Sequence, residues 1–372
     1  MFHQTNFKAN GGLESLKEII LNLKNVNPYV LTQRKSELTE SLEDAGISCK
    51  IINKNSQSLI TKLWDVLNWN IETYKIIKSN NINVIHINDI TALWHCFFGA
   101  MLSKVRIVFN LRGVIEKHRT YGKNWFLLKY CDKVIVLSKE MKSTILERIP
   151  YLKNQESKVE FIYSIVDFKK YHVLDSASKA NLKDELGFSN QEFHIVWVAA
   201  FNQLKNQLAF IENALPRLKE QPIKLHFLGD FDIKENQYAA TCLKALQEKG
   251  LEEKVVFHGF KSNINQYYQI ADLTIVPSKR EGLARCMIES LATGTSVISF
   301  DVSSAHEILT ENEVGWVIPQ GDYNAFANKI IENLKNIKDL ECIGSKAAVL
   351  AQSYFNKEKI IMQYQRIYFN EA

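Results

Sequence analysis

The stretch 272–301 constrains the fold of this 372-residue chain more than any other. An apolar run, Leu273–Val276, has the composition of a buried strand and is followed by a Pro-Ser pair that ends it. A helical segment comes next, and Gly294 behind it is a typical helix stop. A further apolar run, 296–300, predicts a second strand. Strand, helix and strand in this order predict a β-α-β unit of a parallel sheet.

Two carboxylates lie at the ligand-binding end of this predicted unit. Glu281 falls in the loop before the helix and Glu289 within the helix. Because helical side chains lean toward the helix N-terminus, Glu289 should point to the end where backbone N–H groups favour phosphate. An acidic pair beside a phosphate site suits a ligand with both hydroxyl and phosphate groups, of which a sugar nucleotide is one. The alternative is two solvated glutamates on one helix face.

From Glu281-Gly282-Leu283 to Glu289, with Gly294 behind it, the segment resembles the E-x7-E signature of the family 4 retaining glycosyltransferases of the GT-B fold. The strands on both sides of the motif make the resemblance specific. In that family the first glutamate contacts the transferred sugar and the second contacts the ribose hydroxyls, which implies these roles for Glu281 and Glu289. Further donor-binding positions implied by the same motif are Gly282, Leu283, Ala284 and Arg285.

Strand-like and helical runs alternate along most of the chain, which predicts an α/β protein with parallel sheets. The predicted strands are Tyr29–Thr32, Val84–Ile87, Arg106–Asn110, 133–137, 159–163, 194–199, 224–228, 254–258, Leu273–Val276 and Val297–Phe300. Helices are predicted at 59–78, 207–218, 239–249 and Lys357–Phe369.

Length and a polar stretch at about 167–190 predict two domains. With the resemblance, they imply a GT-B enzyme with two Rossmann-like domains facing a cleft. Residues 1–165 would bind the acceptor and 166–355 the nucleotide sugar, with the C-terminal helix, 356–372, crossing back to the first domain.

A diphosphate leaving group needs positive charge as its bond to the sugar breaks. Residues 195–208 resemble the family segment whose Arg and Lys hold that diphosphate, and Lys205 matches the Lys. Ala200 stands where the Arg is expected, and Asn206 replaces the Gly that normally follows the Lys. Either Lys205 acts alone, or Arg280 or Arg285 supplies the second charge. The simpler interpretation of Lys205 is a solvated loop lysine.

Three further segments resemble parts of the family's site. Gly11 and Gly12 precede a helical run and match a glycine-rich loop that faces the donor, although an ordinary turn would look the same. Arg112 stands where many members carry a His, and would either clamp a phosphate or acidic sugar or serve a structural ion pair. Phe260 and Lys261 follow a strand and turn whose backbone reads the nucleotide base.

Charge is distributed unevenly over the chain. Residues 1–165 carry 23 Lys+Arg against 15 Asp+Glu, a balance of +8, and the remainder carries 23 against 26, a balance of −3. A basic first half predicts contact with an anionic surface. We favour an anionic membrane leaflet or a lipid-linked acceptor over nucleic acid, because no nucleic-acid motif with interleaved aromatics is found. The basic, aromatic segment 112–129 is the predicted contact, with a half-buried helix bearing a solvated basic face as the alternative.

Six scattered cysteines without a C-x-x-C pair favour a reducing cytoplasm and argue against zinc or a disulfide framework. The first ten residues lack the apolar core of a signal peptide, and no apolar run approaches the length of a membrane span. The expected location is the cytoplasm, with peripheral contact at the inner face of the plasma membrane.

With these features, the family resemblance implies a metal-independent, retaining hexosyltransferase without a resident cofactor. It would transfer a sugar from a UDP-linked donor to a saccharide or lipid-linked acceptor during lipopolysaccharide or capsule synthesis. Glu281, Lys205 and Arg112 are the predicted catalytic residues. Two alternatives remain: an inverting GT-B enzyme or epimerase, and a non-catalytic sugar-nucleotide-binding subunit, which the loss at Ala200 keeps open.

Overall fold

The computed structural model describes residues 2–4, 11–52, 59–113, 123–310 and 313–370. The chain forms two compact units: unit 1 is Met1–Ile165 with Lys357–Ala372, and unit 2 is Val166–Asn356. Each unit contains one parallel sheet with helices around it. The predicted α/β class with two parallel-sheet domains is therefore confirmed. None of the helices within the described ranges has the length and apolar content needed to cross a bilayer.

Unit 1 contains a seven-stranded sheet in the order β3-β2-β1-β4-β5-β6-β7. Its strands are β1 (Phe2–Gln4), β2 (Tyr29–Thr32), β3 (Ser48–Ile51), β4 (Val84–Ile87), β5 (Arg106–Asn110), β6 (Lys133–Val136) and β7 (Val159–Phe161). Its helices are α1 (Gly11–Asn22), α2 (Glu37–Asp44), α3 (Leu59–Ser79), α4 (Ile90–Ser103), α5 (Lys139–Arg148) and α13 (Lys357–Phe369), with short helical turns at Lys123–Tyr130 and Glu156–Lys158.

Unit 2 contains a six-stranded sheet in the order β10-β9-β8-β11-β12-β13. Its strands are β8 (Phe193–Val198), β9 (Ile223–Leu228), β10 (Val255–Phe257), β11 (Leu273–Val276), β12 (Val297–Phe300) and β13 (Gly315–Ile318). Its helices are α6 (Ser176–Leu186), α7 (Gln207–Asn213), α8 (Gln237–Lys249), α9 (Ile264–Ile270), α10 (Arg285–Ala292), α11 (Tyr323–Lys335) and α12 (Ile337–Tyr354), with short helical turns at Leu215–Leu218, Glu252–Lys254 and His306–Thr310.

The strand order of unit 2 reverses between β8 and β11. Strands β9 and β10 extend the sheet on one side of β8, and β12 and β13 extend it on the other side of β11. In parallel α/β sheets, ligands bind beyond the carboxyl ends of the strands where the order reverses. The loops after β8 and β11 carry Lys205 and Glu281 respectively, so the topology brings two predicted site residues to the same switch point.

The sequence prediction was wrong at the helix predicted for 207–218 and omitted two strands, β3 and β13. The predicted helix 207–218 is two elements, because α7 ends at Asn213 and a separate turn contains Pro216, whose nitrogen has no hydrogen to continue a helix. Strand β3 is a sheet-edge strand with half-exposed positions, so it lacks the continuous apolar signal of a central strand. Strand β13 was likewise not predicted.

Two glycines hold α10 against α12. Gly294 follows the C-terminal end of α10 with φ +77°, a conformation that glycine adopts without strain. A Cβ on Gly344 of α12 would collide with the carbonyl oxygen of Gly294. The close approach of these two backbones positions α10, the helix that carries Glu289.

Three histidines form a hydrogen-bonded chain across β8, β9 and the end of β10. His194 Nδ1 lies 3.0 Å from His226 Nε2, and His226 Nδ1 lies 2.9 Å from His258 Nε2. The carbonyl of Ser189 accepts from His194 Nε2 at 2.6 Å. A carbonyl cannot donate, so His194 Nε2 carries a proton; when all three rings are neutral, each histidine therefore donates through Nε2. Burial lowers the pKa of His226 to about 2 and that of His258 to about 4.

This chain should make stability depend on pH. Below about pH 6.5 these histidines bind protons in the unfolded state but not in the folded state, where their pKa values are lower. The free energy of unfolding should therefore fall as pH drops from about 6.5 to 4, by up to about 1.4 kcal/mol per pH unit for each histidine. His226→Gln should flatten this dependence, measured by urea unfolding at pH 7 and pH 5, whereas exposed His172→Gln should not. Equal pH slopes in His226→Gln and wild type would contradict this account.

Candidate active site

The loops after β8 and β11 are held together by backbone and side-chain contacts. Lys279 N donates to Leu204 O at 2.8 Å, and Asn206 Nδ2 donates to Pro277 O at 3.0 Å. Between these contacts Lys205 Nζ donates to Glu281 Oε1 at 2.5 Å. The two predicted catalytic residues of this unit therefore form a direct ion pair.

Asn206 explains how the glycine expected after Lys205 can be absent. Its φ is +70°, in the left-handed region where Asn is among the better tolerated residues after glycine. The side chain is buried and also donates to Tyr323 Oη at 2.9 Å. The replacement thus keeps the backbone conformation and adds a side-chain bond to α11.

A second ion pair lies at the start of α10. Arg285 donates to Glu289 Oε1 through Nε at 3.0 Å and Nη2 at 2.8 Å. Glu289 is 5% exposed, and its carboxylate meets Arg285 in the first turn of the helix. The sequence analysis predicted both residues as donor-binding positions but missed their pairing, although the i, i+4 spacing is the usual spacing of a helical ion pair.

The N-terminus of α10 lies between the two ion pairs. Ala284 occupies the N-cap position and has no side-chain oxygen to cap the first turn. Gly282 and Leu283, in the loop before it, are buried, and Ser304 Oγ donates to Gly282 O at 3.3 Å. A helix N-terminus of this kind favours anions through its backbone N–H groups and its dipole.

The site contains two cations, Lys205 and Arg285, each paired with a carboxylate, Glu281 and Glu289 respectively. Burial lowers the pKa of Lys205, but the Glu281 charge and hydrogen bond outweigh it, so the pKa is raised and the lysine stays charged. Burial raises the pKa of Cys286 to about 12 although Lys205 opposes it, so this residue is a neutral thiol and not an activated nucleophile at neutral pH. Among the described residues, no group of three or more His, Cys, Asp or Glu side chains is arranged to hold a metal ion.

The missing arginine at Ala200 has a candidate replacement within the site. Ala200 is exposed just beyond β8 and contributes no charge. Arg285 lies in the first turn of α10 and pairs with Glu289, whereas Arg280 is an exposed residue of the preceding loop. Of the two arginines considered from the sequence, Arg285 is the one in the first turn of a helix whose N-terminus favours anions.

Phe260 and Lys261 follow β10, whose carboxyl end lies at the same edge of the parallel sheet as those of β8 and β11. Phe260 is 70% exposed, so its ring is open to a ligand. Their predicted role at the nucleotide base stays a prediction.

Arg112 lies in unit 1, where the loops after β4 and β5 meet α13. Its Nε donates to Asn88 Oδ1 at 3.0 Å. Beside it, His86 is buried and hydrogen-bonded to Tyr368 Oη at 2.8 Å. Burial and the Arg112 charge lower the pKa of His86 to about 3, so His86 is a neutral core residue. Arg112 therefore belongs to a polar cluster with Asn88, and its predicted contact with a ligand stays a prediction.

Two other predicted features lie at or beyond the edge of the described residues. Gly11 and Gly12 begin α1, while the loop before them lies outside the described residues. The predicted membrane-contact residues Lys117 and Arg119 lie outside them as well.

Two family models together match most of the chain. The model described as "Glycosyltransferase Family 4" matches residues 24–170, and the model described as "Glycosyl transferases group 1" matches residues 178–349. Each model thus corresponds to one of the two units.

The chain is also similar in sequence to individual glycosyltransferases and related enzymes. The chain is 24% identical over 307 residues to the N-acetyl-alpha-D-glucosaminyl L-malate synthase of Bacillus anthracis, covering 80% of this chain and 77% of that protein. It is 28% identical over 204 residues to the N-acetylgalactosamine-N,N'-diacetylbacillosaminyl-diphospho-undecaprenol 4-alpha-N-acetylgalactosaminyltransferase of Campylobacter jejuni, covering 55% and 51%.

Among solved structures, Anabaena Alr3699/HepE in complex with UDP and glucose superposes with a TM-score of 0.84 at 18% identity, covering 100% of this chain and 99% of that one. This likeness concerns the fold. With the two family models and the sequence relatives, it leads to one conclusion: the chain belongs to the family 4 glycosyltransferases of the GT-B fold.

Proposed function

We propose that this glycosyltransferase transfers a sugar, with retention of anomeric configuration, from a UDP-sugar to a saccharide or lipid-linked acceptor of a bacterial surface polysaccharide. The observation that carries the proposal is the pair of ion pairs, Lys205–Glu281 and Arg285–Glu289, at the switch point of unit 2. Cations and a helix N-terminus suit a diphosphate, and carboxylates suit sugar hydroxyls.

Three of these residues have a role in the proposed reaction. Glu281 orients the transferred sugar, Glu289 accepts hydrogen bonds from the ribose, and Lys205 with the N-terminus of α10 stabilises the leaving diphosphate. The acceptor hydroxyl oxygen bonds to the anomeric carbon as the carbon–phosphate oxygen bond breaks, and its proton passes to the leaving phosphate. A protonated Cys286 thiol and a paired Glu281 favour this front-face route over a covalent intermediate.

The donor and the stereochemistry draw on the relatives. The Anabaena protein was crystallised with UDP and glucose, which supports a UDP-linked donor. The names of the two sequence relatives specify alpha-linked sugars. Since UDP-hexoses commonly carry the alpha configuration, an alpha product corresponds to retention.

The acceptor proposal has two supports. The Campylobacter relative acts on a sugar attached to diphospho-undecaprenol. Residues 1–165 of this chain carry a charge balance of +8, which suits an acceptor with a diphosphate group or one held at an anionic membrane. We therefore propose that unit 1 takes the acceptor and that transfer occurs at the inner face of the plasma membrane.

Transfer assays with a panel of UDP-, GDP- and TDP-sugars test the proposal, with the anomer of the product assigned by NMR. Turnover of a UDP-sugar to an alpha-linked product is the expected result. A beta-linked product would identify an inverting enzyme, interconversion of donor sugars an epimerase, and donor binding without transfer or hydrolysis a binding subunit.

The reaction should not require a divalent metal. Lys205 and the helix N-terminus supply the charge that a metal would otherwise give to the diphosphate. We expect activity within about twofold of the untreated enzyme after exhaustive treatment with EDTA. Complete loss that manganese or magnesium restores would contradict this prediction.

The two glutamates should separate binding from turnover. Glu289→Gln replaces a charged acceptor of the ribose hydroxyls with a neutral one, so donor affinity should fall by about 1–3 kcal/mol. Glu281→Gln should instead lower kcat more than nucleotide affinity. Calorimetric titration with UDP and steady-state kinetics measure both, with exposed Glu248→Gln as a control on α8. Wild-type behaviour of both site variants would refute the assignment.

A further inference from the structure

Helix α3 of unit 1 has an apolar face that the rest of the described structure leaves open to solvent. Five large side chains are between 41% and 67% exposed, namely Leu63, Trp64, Leu67, Ile71 and Tyr74. At about 100° per residue they fall within an arc of about 100° on one side of the helix. Large exposed apolar patches of this kind mark interaction sites.

The neighbouring helix α4 extends this surface. Phe98, Met101 and Leu102 are 42–68% exposed. Gly99, between them, packs so closely on α3 that a Cβ there would collide with the carbonyl oxygen of Asn70 and lie 3.1 Å from the Tyr74 nitrogen. Tyr74 lies at one edge of the α3 face, so the exposed side chains of the two helices adjoin. We call this surface the α3–α4 face.

Lysines lie within and beside the α3–α4 face. Lys78 falls within the apolar arc of α3, and Lys75 falls just beside it by the same helical geometry. Lys78 Nζ donates to Ser103 O at 3.4 Å, across to the end of α4. The acidic residues of α3, Asp65 and Glu72, fall more than about 100° from the centre of the arc by helical position. Lys75 Nζ nevertheless bonds Glu72 Oε1 at 2.8 Å, so the positive charge of the face rests on Lys78 and on Lys104, the exposed residue that follows α4.

We propose that the α3–α4 face docks in the plane of an anionic lipid bilayer, with Trp64 and its apolar neighbours inserted at the headgroup boundary. Lysines beside an apolar, aromatic face are the pattern of helices that lie on anionic membranes. No helix in the described part of the chain has the character of a membrane span, so the contact is peripheral. The positive charges of Lys78 and Lys104 match anionic headgroups, and this charge complementarity argues for lipid as the occupant.

The inference deepens the proposed function, since it names the surface that holds the enzyme at its membrane-bound acceptor. It adds α3 and α4 to the predicted contact at 112–129, which stays a prediction. Vesicle binding needs neither donor nor catalysis, so its outcome is independent of the proposed reaction.

The test is co-sedimentation of the full chain with phosphatidylglycerol–phosphatidylcholine vesicles and with pure phosphatidylcholine vesicles. Leu63→Ser/Trp64→Ser/Leu67→Ser should lower the partition coefficient on anionic vesicles by about tenfold or more. The matched control carries three exposed apolar changes in unit 2, Ile233→Ser/Ile337→Ser/Val349→Ser, and should bind like wild type. All of these side chains are exposed, so unfolding should not cause the loss, and thermal melts verify this.

A charge variant, Lys75→Gln/Lys78→Gln/Lys104→Gln, should remove the preference for anionic vesicles at low salt, as should high salt with wild type. Transfer to a soluble acceptor should be unchanged in every variant. Failure of transfer throughout, with vesicle binding as expected, would overturn the proposed function and leave the docking surface standing. Wild-type binding by the triple serine variant would overturn the inference, as would a wild-type dimer that this variant dissociates and that does not bind vesicles.

Discussion

Replacing Lys205 with methionine should lower kcat by about 10²–10³-fold, the loss typical of removing one group that stabilises charge in a transition state. The loop after β8 places Lys205 at the switch point, where it pairs with Glu281. Ala200, in the same loop, carries no charge. In the proposed reaction negative charge grows on the diphosphate as its bond to the sugar breaks, and Lys205 is the lysine proposed to stabilise it.

The same substitution leaves Glu281 without its partner, so its effect on stability must be measured beside its effect on rate. Both side chains are partly exposed, at 27% and 12%, and the free energy of unfolding should fall by only about 1–3 kcal/mol. Lys279→Met, on the adjacent loop, is the matched control. Lys205→Arg should recover part of the rate because it restores the charge. A folded Lys205→Met enzyme with wild-type kcat would exclude Lys205 from catalysis.

Replacing Arg285 with methionine should cost both stability and activity. Glu289 is almost fully buried and receives two hydrogen bonds from this arginine, so its loss leaves an uncompensated buried carboxylate. Breaking a buried pair in this way typically destabilises a protein by about 3–5 kcal/mol. If Arg285 also serves the diphosphate in place of the arginine missing at Ala200, kcat should fall by roughly 10²-fold or more.

A double variant separates the two effects. Arg285→Met/Glu289→Gln removes the unpaired charge, so it should recover most of the lost stability in urea unfolding but none of the lost kcat. Exposed Arg217→Met should change neither quantity. If the double variant regains activity together with stability, Arg285 only positions Glu289, and the site has Lys205 as its one diphosphate cation.

Several central strands could be predicted from their local sequence pattern alone. Leu273–Val276, Tyr29–Thr32, Val84–Ile87 and Arg106–Asn110 were predicted with the bounds that the structure has. Central strands of a parallel sheet are buried on both faces, so their apolar character is continuous and visible without knowledge of their neighbours. At the sheet edge β3 is half-exposed, and its identity depends on pairing with β2 rather than on its own composition.

The candidate site was predicted only in part from the sequence. The motif from Glu281 to Glu289, its family and the helix that carries it follow from residues close together in the chain, because spacing and turn chemistry are local. Three relationships required the tertiary structure: the pairing of Lys205 with Glu281, the left-handed Asn206 that takes the place of glycine, and the exposure of the α3 face. Each of the three depends either on residues distant in the sequence or on which surfaces remain without packing partners. Neither kind of information is contained in a short segment of sequence.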